Sequence, residues 1–186
     1  ILKIDQTFSN YEIYNFFKSN NLLLLLVVQS KILPVDEFIK VLKEDNSSNN
    51  YQHFAYFWPE INGQLTEKQK NSTEQYFKEQ NYEYSNFEIF DQKRSIGEND
   101  HYICEIIRND KIEEFVAYVN KNNINCSSEI RQSIFETNAF LMNKNVSLIE
   151  YASFFGSIRI VQYLITNGVE IKPSLWFYII HSSNAE

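Results

Sequence analysis

The sequence predicts an all-α protein, an irregular helical region followed by stacked helix–turn–helix units, on three observations. Only 4 Gly and 3 Pro occur in 186 residues, too few for the turn-rich connections of sandwiches. Apolar residues recur at helical spacing: Val35, Phe38, Ile39 and Leu42 stand at i, i+3, i+4 and i+7, one stripe of a helix. Asn clusters such as Asn20-Asn21, Asn49-Asn50 and Asn122-Asn123 fall between the periodic segments, where Asn favours caps and turns. The clusters are short and aromatics lie between them, unlike a disordered low-complexity tract.

A chain of this length can bury a core as one domain or as two small ones. The texture changes near residue 95, which divides a helical region over 1–95 from more regular units over 96–186. The net charge of −7 and the lack of any basic block repel a phosphate backbone and argue against nucleic acid as a partner. Cys104 and Cys126 have no paired-spacing motif, which fits a reduced, intracellular and cytoplasmic setting, although a disulfide stays geometrically open. The chain begins with Ile rather than Met, as expected of a piece of a longer protein.

In the first region, Tyr11, Tyr14, Phe16 and Phe17 crowd one short segment. The run Leu22 to Val28 is apolar all round; as a helix it spans only about 10 Å, far less than the hydrocarbon thickness of a bilayer, so it predicts a fully buried helix and no membrane span. Pro34 opens the next helix, with Asp36 and Glu37 in its first turn. The loop 45–50 follows, then a short buried helix over 51–58 ended near Pro59. Thr66 and Gln69 form a capping box that opens a polar, surface-lying helix to about Gln80. A last short helix covers Asn86 to Lys93 and stops at the Ser95-Ile96-Gly97 break.

From Asn99 the pattern becomes helix–turn–helix. His101 to Arg108 is a short apolar helix; Asp110 and Glu113 have capping-box spacing before a second helix with a stripe of Ile112, Phe115, Val116 and Val119. The stretch 147–168, SLIEYASFFGSIRIVQYLITNG, repeats the design. Ser147 and Glu150 make a capping box, Ala152 permits close helix approach, and Gly156 suits a turn with positive φ. Ile158, Val161, Leu164 and Ile165 are the predicted stripe, and Asn167-Gly168 the left-handed stop. Asp110 to Phe115 superposes on Gly156 to Val161. A further copy, SLWFYIIHSSNAE, begins at Ser174, offset by 27 residues from Ser147, within the span of about 20–50 for stacked repeats.

SLIEYASFFG, VQYLI and NGVE resemble an ankyrin repeat, with its T-P-L-H-x-A-A-x-x-G opening, V-x-x-L-L outer helix and closing x-G-A-D. Leu148 stands for the usual Pro and Glu150 for the His, and the loop after Gly168 is shorter than a repeat of about 33 residues allows. The likeness extends over about 95–186 to the expanded ankyrin families of parasitic protists, and is mostly texture over 1–95. It implies an α-solenoid that presents a concave surface to a protein partner whose identity is open. It implies no catalytic residue, and further repeats are expected beyond Glu186. By position the partner-binding candidates are Asn143, Lys144 and Asn145, then Glu170, Ile171 and Lys172 at the hairpin tips, with Phe154, Phe155 and His181 on the inner helices. Packing of the two phenylalanines on a helix over 133–142 is the competing expectation, and the oligomeric state is open.

The chemistry of an enzyme lacks its usual signs. There is no Gly-rich phosphate loop, Cys-x-x-Cys or His-Glu-x-x-His, so no cofactor and no metal are expected. His53, His101 and His181 are far apart in sequence, Glu113 and Glu114 point to different sides of a helix, and Cys104 reads as a packed small hydrophobe. The expected role is a non-enzymatic interaction scaffold; the alternative is a structural or autoinhibitory domain docking within a larger protein.

Overall fold

The computed structural model describes residues 7–44, 50–142 and 145–181. The chain divides into two compact units, Ile1–Glu98 and Asn99–Glu186. Among the described residues every regular element is a helix; no strand forms, and Glu129 and Ser147 make one isolated antiparallel bridge. No described helix is long and apolar enough to cross a membrane.

The first unit contains α1 (Asn10–Phe17), α2 (Asn21–Gln29), α3 (Val35–Glu44), α4 (Asn50–Tyr56), α5 (Trp58–Ile61), α6 (Glu67–Gln80) and α7 (Phe87–Ile96). Local chemistry starts several of them. Ser9 and Glu12 form a capping box on α1, the Asn20 side chain accepts from the Leu23 N–H at 3.1 Å on α2, and the Thr66–Gln69 box opens α6 as the spacing predicts. α1 packs on α2 and α3, α3 on α5, and α4 on α5 and α6. Aromatic rings fill the interior: Phe38 meets Phe57 at 4.7 Å between centroids, and Phe77 stacks on Tyr84 at 4.5 Å.

Three expectations for this unit need correction. α2 is not fully buried: Leu24, Leu25, Val27 and Val28 face the core, while Leu23 and Leu26 are exposed. Its partner α1 covers one side only, and a short helix in a small unit has too few neighbours for all-round burial. Pro59 does not end the preceding helix but lies in the first turn of α5, where its missing N–H costs nothing. α7 runs past Lys93 to Ile96 and stops at Gly97, whose φ of 70° gives the left-handed cap. The predicted loop 45–50 lies, except for Asn50, outside the described residues.

The second unit contains α8 (Tyr102–Arg108), α9 (Ile112–Lys121), α10 (Leu148–Phe154), α11 (Ile158–Thr166) and α12 (Leu175–Ile180). α8 pairs with α9 and α10 with α11; α10 also packs on α8 and α12, and α9 on α11. The two turns match bond for bond. Lys111 N–H donates to Ile106 O at 3.1 Å and Ser157 N–H to Ala152 O at 2.9 Å; Ile112 and Ile158 donate to the carbonyls of Asp110 and Gly156 at 3.0 and 2.9 Å. Asp110 and Gly156 both have positive φ, 46° and 67°. Gly168, at φ 82°, closes α11 as predicted.

Here too the structure departs from the sequence reading. The Asp110–Glu113 capping box does not form, because the Asp110 carboxylate reaches across to the start of α11, accepting from Ile160 N–H at 3.1 Å and Arg159 N–H at 3.3 Å. The buried residues of α11 are Ile160 and Leu164; Ile158 and Ile165 of the predicted stripe are exposed. α11 turns its buried face to α9 and α10, and no described element covers the other side.

The expected helix over 133–142 is absent as well. Side chains there take N–H groups that a helix needs: Ser133 Oγ accepts from Phe135, Glu136 Oε1 from Asn138 and Asn138 Oδ1 from Phe140, at 3.1, 2.9 and 2.9 Å.

Candidate functional site

The site grows from the chain between α9 and α10. Ile130 N–H donates to Val146 O at 2.8 Å and Leu148 N–H to Ser128 O at 3.0 Å, which brings 127–130 alongside the start of α10. Ser147 then caps the helix. Its N–H and hydroxyl donate to Glu150 Oε2 at 2.9 and 2.7 Å, and Ser174, just before α12, donates to Glu150 Oε1 at 2.7 Å. One carboxylate therefore ties the entry of α10 to the entry of α12. Burial pushes the Glu150 carboxyl up, but the Ser147 and Ser174 hydrogen bonds and the charge of Lys172 outweigh it and hold the group below its ordinary value.

Beside this clasp lies a cleft of about 200 Å³. Its floor is the buried side chains Ile149, Val169 and Leu175; Ser127, Ser147 and Ser174 supply hydroxyls, and Glu150, Glu170 and Lys172 supply charge. An apolar floor with a few convergent polar groups suits a peptide side chain or a small ligand.

The candidate residues separate into two groups. Glu170 and Lys172 line the cleft, while the exposed Ile171 between them does not. Asn145 is exposed and outside the cleft; Asn143 and Lys144 lie outside the described residues. Phe154, Phe155 and His181 belong to the other ends of the helices. Phe154 is 4% exposed, 6.5 Å from the Phe140 ring and 5.1 Å from Phe155, so it is core rather than an anchor. Phe155 is half-buried, against Tyr151 at 4.8 Å and beneath the Arg108 guanidinium at 6.0 Å. His181 is exposed and stacks on Phe140 at 4.2 Å.

Sequence reasoning missed Ser127, Ile149, Val169, Ser174 and Leu175 as cleft residues, and read Ser147 and Glu150 only as a helix cap. A signal existed for Ser174: it superposes on Ser147 in the 27-residue offset. None existed for Ser127, which arrives through the backbone pairing.

Elsewhere in the unit, Arg108 and Cys104 are committed to structure. Arg108 donates to Tyr151 Oη at 2.7 Å and to Asn99 O at 2.8 Å. Burial pushes the Cys104 thiol up to about 12, which keeps it protonated and a poor nucleophile. Among the described residues no three of His, Cys, Asp and Glu gather as metal ligands. No family model matches the chain, and neither a curated protein nor a solved structure was found to match it.

Proposed function

We propose that Asn99–Glu186 is a divergent, ankyrin-like repeat module that holds a protein partner at the cleft between the entries of α10 and α12. The observation that carries this reading is the cleft itself, because Glu170 and Lys172, candidates from repeat position alone, line it beside the Ser147–Glu150–Ser174 clasp. The matched turns of α8–α9 and α10–α11 support the repeat relation. The role is binding without chemistry, in a reduced, cytoplasmic setting that the free thiols of Cys104 and Cys126 suit. With a net charge of −7, a protein surface fits as partner better than a nucleic acid.

The test is quantitative affinity capture by the whole chain against the exposed charge-swapped pair Glu170→Lys and Lys172→Glu. A partner held by the native chain and weakened about tenfold or more by the swap supports the cleft. Equal capture by both sinks it. The second reading, a structural or autoinhibitory domain within a larger protein, is favoured by the burial of Phe154, which removes the aromatic anchor from the surface.

A further inference from the structure

The hydrogen bonds of the Ser147–Glu150–Ser174 clasp decide what the cleft beside it can offer an occupant. Ser147 Oγ donates to Glu150 Oε2 and Ser174 Oγ to Glu150 Oε1, each at 2.7 Å. A serine hydroxyl has one proton and two lone pairs, so these two present lone pairs only. A carboxylate is likewise an acceptor, and Glu150, held below its ordinary value, is charged near neutral pH. Glu170 is exposed and makes no ion pair among the described residues. Lys172 is the one cation of the lining, and it acts on Glu150 through its charge without an ion pair between them. That leaves Ser127 and Lys172 as the lining side chains with a proton to give. The cleft is acceptor-rich, with two negative charges against one positive.

The floor adds a second requirement. Ile149, Val169 and Leu175 are 4, 8 and 6% exposed, and they line a cleft of about 200 Å³, room for one long side chain with an apolar stem. A carboxylate or phosphate head would meet like charge at the rim, whereas a donor-rich cation finds acceptors. We infer that the cleft seats an arginine or lysine side chain of the protein partner, its methylenes on the apolar floor and its charged head donating to Ser174 Oγ and the Glu170 carboxylate. Such side chains lay their stems along apolar surface while the head keeps its polar contacts. The net charge of −7 extends the same attraction beyond the cleft and speeds encounter with a basic segment. This rests on the reading of the cleft as the binding site and adds the chemistry of what it holds. Lys172 opposes a cation there, so removing its charge is expected to tighten the site.

Titration of the whole 186-residue chain, followed by its amide NMR signals, tests this with two capped tripeptides, Gly-Arg-Gly and Gly-citrulline-Gly. The two differ in charge at nearly equal shape. A single side chain binds weakly, so the titration runs to about 20 mM. The arginine peptide is expected to shift the amides of 147–150 and 169–175 and to bind about fivefold tighter than the citrulline peptide, an advantage that shrinks as salt rises. Glu170→Gln is expected to remove most of that difference and Lys172→Gln to widen it. Both positions are exposed, and unaltered far-ultraviolet circular dichroism establishes that the variants fold. Citrulline bound as tightly as arginine overturns the inference and leaves the cleft standing as a binding site. Where neither peptide shifts these amides the inference falls, and the capture experiment judges the cleft on its own. Arginine shifts spread over the whole acidic surface, or unchanged by Glu170→Gln, overturn it as well.

Discussion

Asp110 and Gly156 take the same left-handed place in two equivalent turns by different chemistry. Glycine meets no steric penalty there; aspartate meets one, offset by the bonds its carboxylate makes to the start of α11. Gly156→Val has no such offset, so it is expected to cost about 1–3 kcal/mol and to lower the unit's melting temperature by several degrees, as read by thermal unfolding. An unchanged transition would reject the strained turn. Glu150 makes a second residue-scale prediction. Its folded value lies below the ordinary 4.5, so its contribution is complete above that pH and is lost as pH falls through the lowered folded value. Glu150→Gln is therefore expected to be less stable than the native chain near neutral pH, with the gap closing in acid. Urea midpoints at about pH 7 and pH 3 decide it, and a gap that persists in acid contradicts the assignment. Gly156 and the Ser147–Glu150 box were legible because their causes lie within a few residues. The real partner of Asp110 was not, since Arg159 is 49 residues away.

At the scale of elements, α7 is held by a side chain that sequence reading passed over. Arg94 is buried, makes two bonds of 2.8 Å to the Glu60 carboxylate on α5, and donates to the Tyr56 carbonyl of α4 at 3.2 Å. Asp91 is also a partner, and the rings of Tyr56 and Phe90 lie 5.6 Å from the guanidinium. Arg94 stands in the last turn of a short polar helix, where an arginine ordinarily faces solvent, so only the arrival of α5 reveals its role. Glu60→Ala would leave that guanidinium buried with only Asp91 as counter-charge, a loss of about 3–5 kcal/mol. Adding Arg94→Met is expected to recover much of it, because no buried charge then remains. Denaturant unfolding of both variants measures the difference, and a double variant no more stable than Glu60→Ala rejects the account. Helix existence was legible throughout this region from stripes and caps. The face each helix buries depends on its neighbours, which is why the stripe Ile158, Val161, Leu164 and Ile165 predicted the element but not its orientation.

Across the whole chain, repeat spacing is irregular, and that limited what the sequence could show. Equivalent turns at Asp110 and Gly156 are 46 residues apart, whereas Ser147 and Ser174 are 27 apart. The excess lies between α9 and α10, where side-chain-braced turns replace the helix that had been expected. The cleft depends on this segment for Ser127 and on the entries of α10 and α12 for the rest, so only Glu170 and Lys172 of its lining were marked by the sequence as binding candidates. Each unit nevertheless has a core of its own. Tyr14, Phe38, Phe57 and Phe77 are fully buried in the first, and a contiguous cluster from Cys104 to Tyr178 fills the second. Damage to one core is therefore expected to stay within its unit, because each core is lined by side chains of its own unit. Hydrogen exchange read by segment makes this visible. Glu60→Ala should speed exchange of the slow amides in α4 to α7 and spare α8 to α11. Gly156→Val should do the reverse. If either variant speeds exchange in both sets, the two units open together and the independence of their cores is refuted.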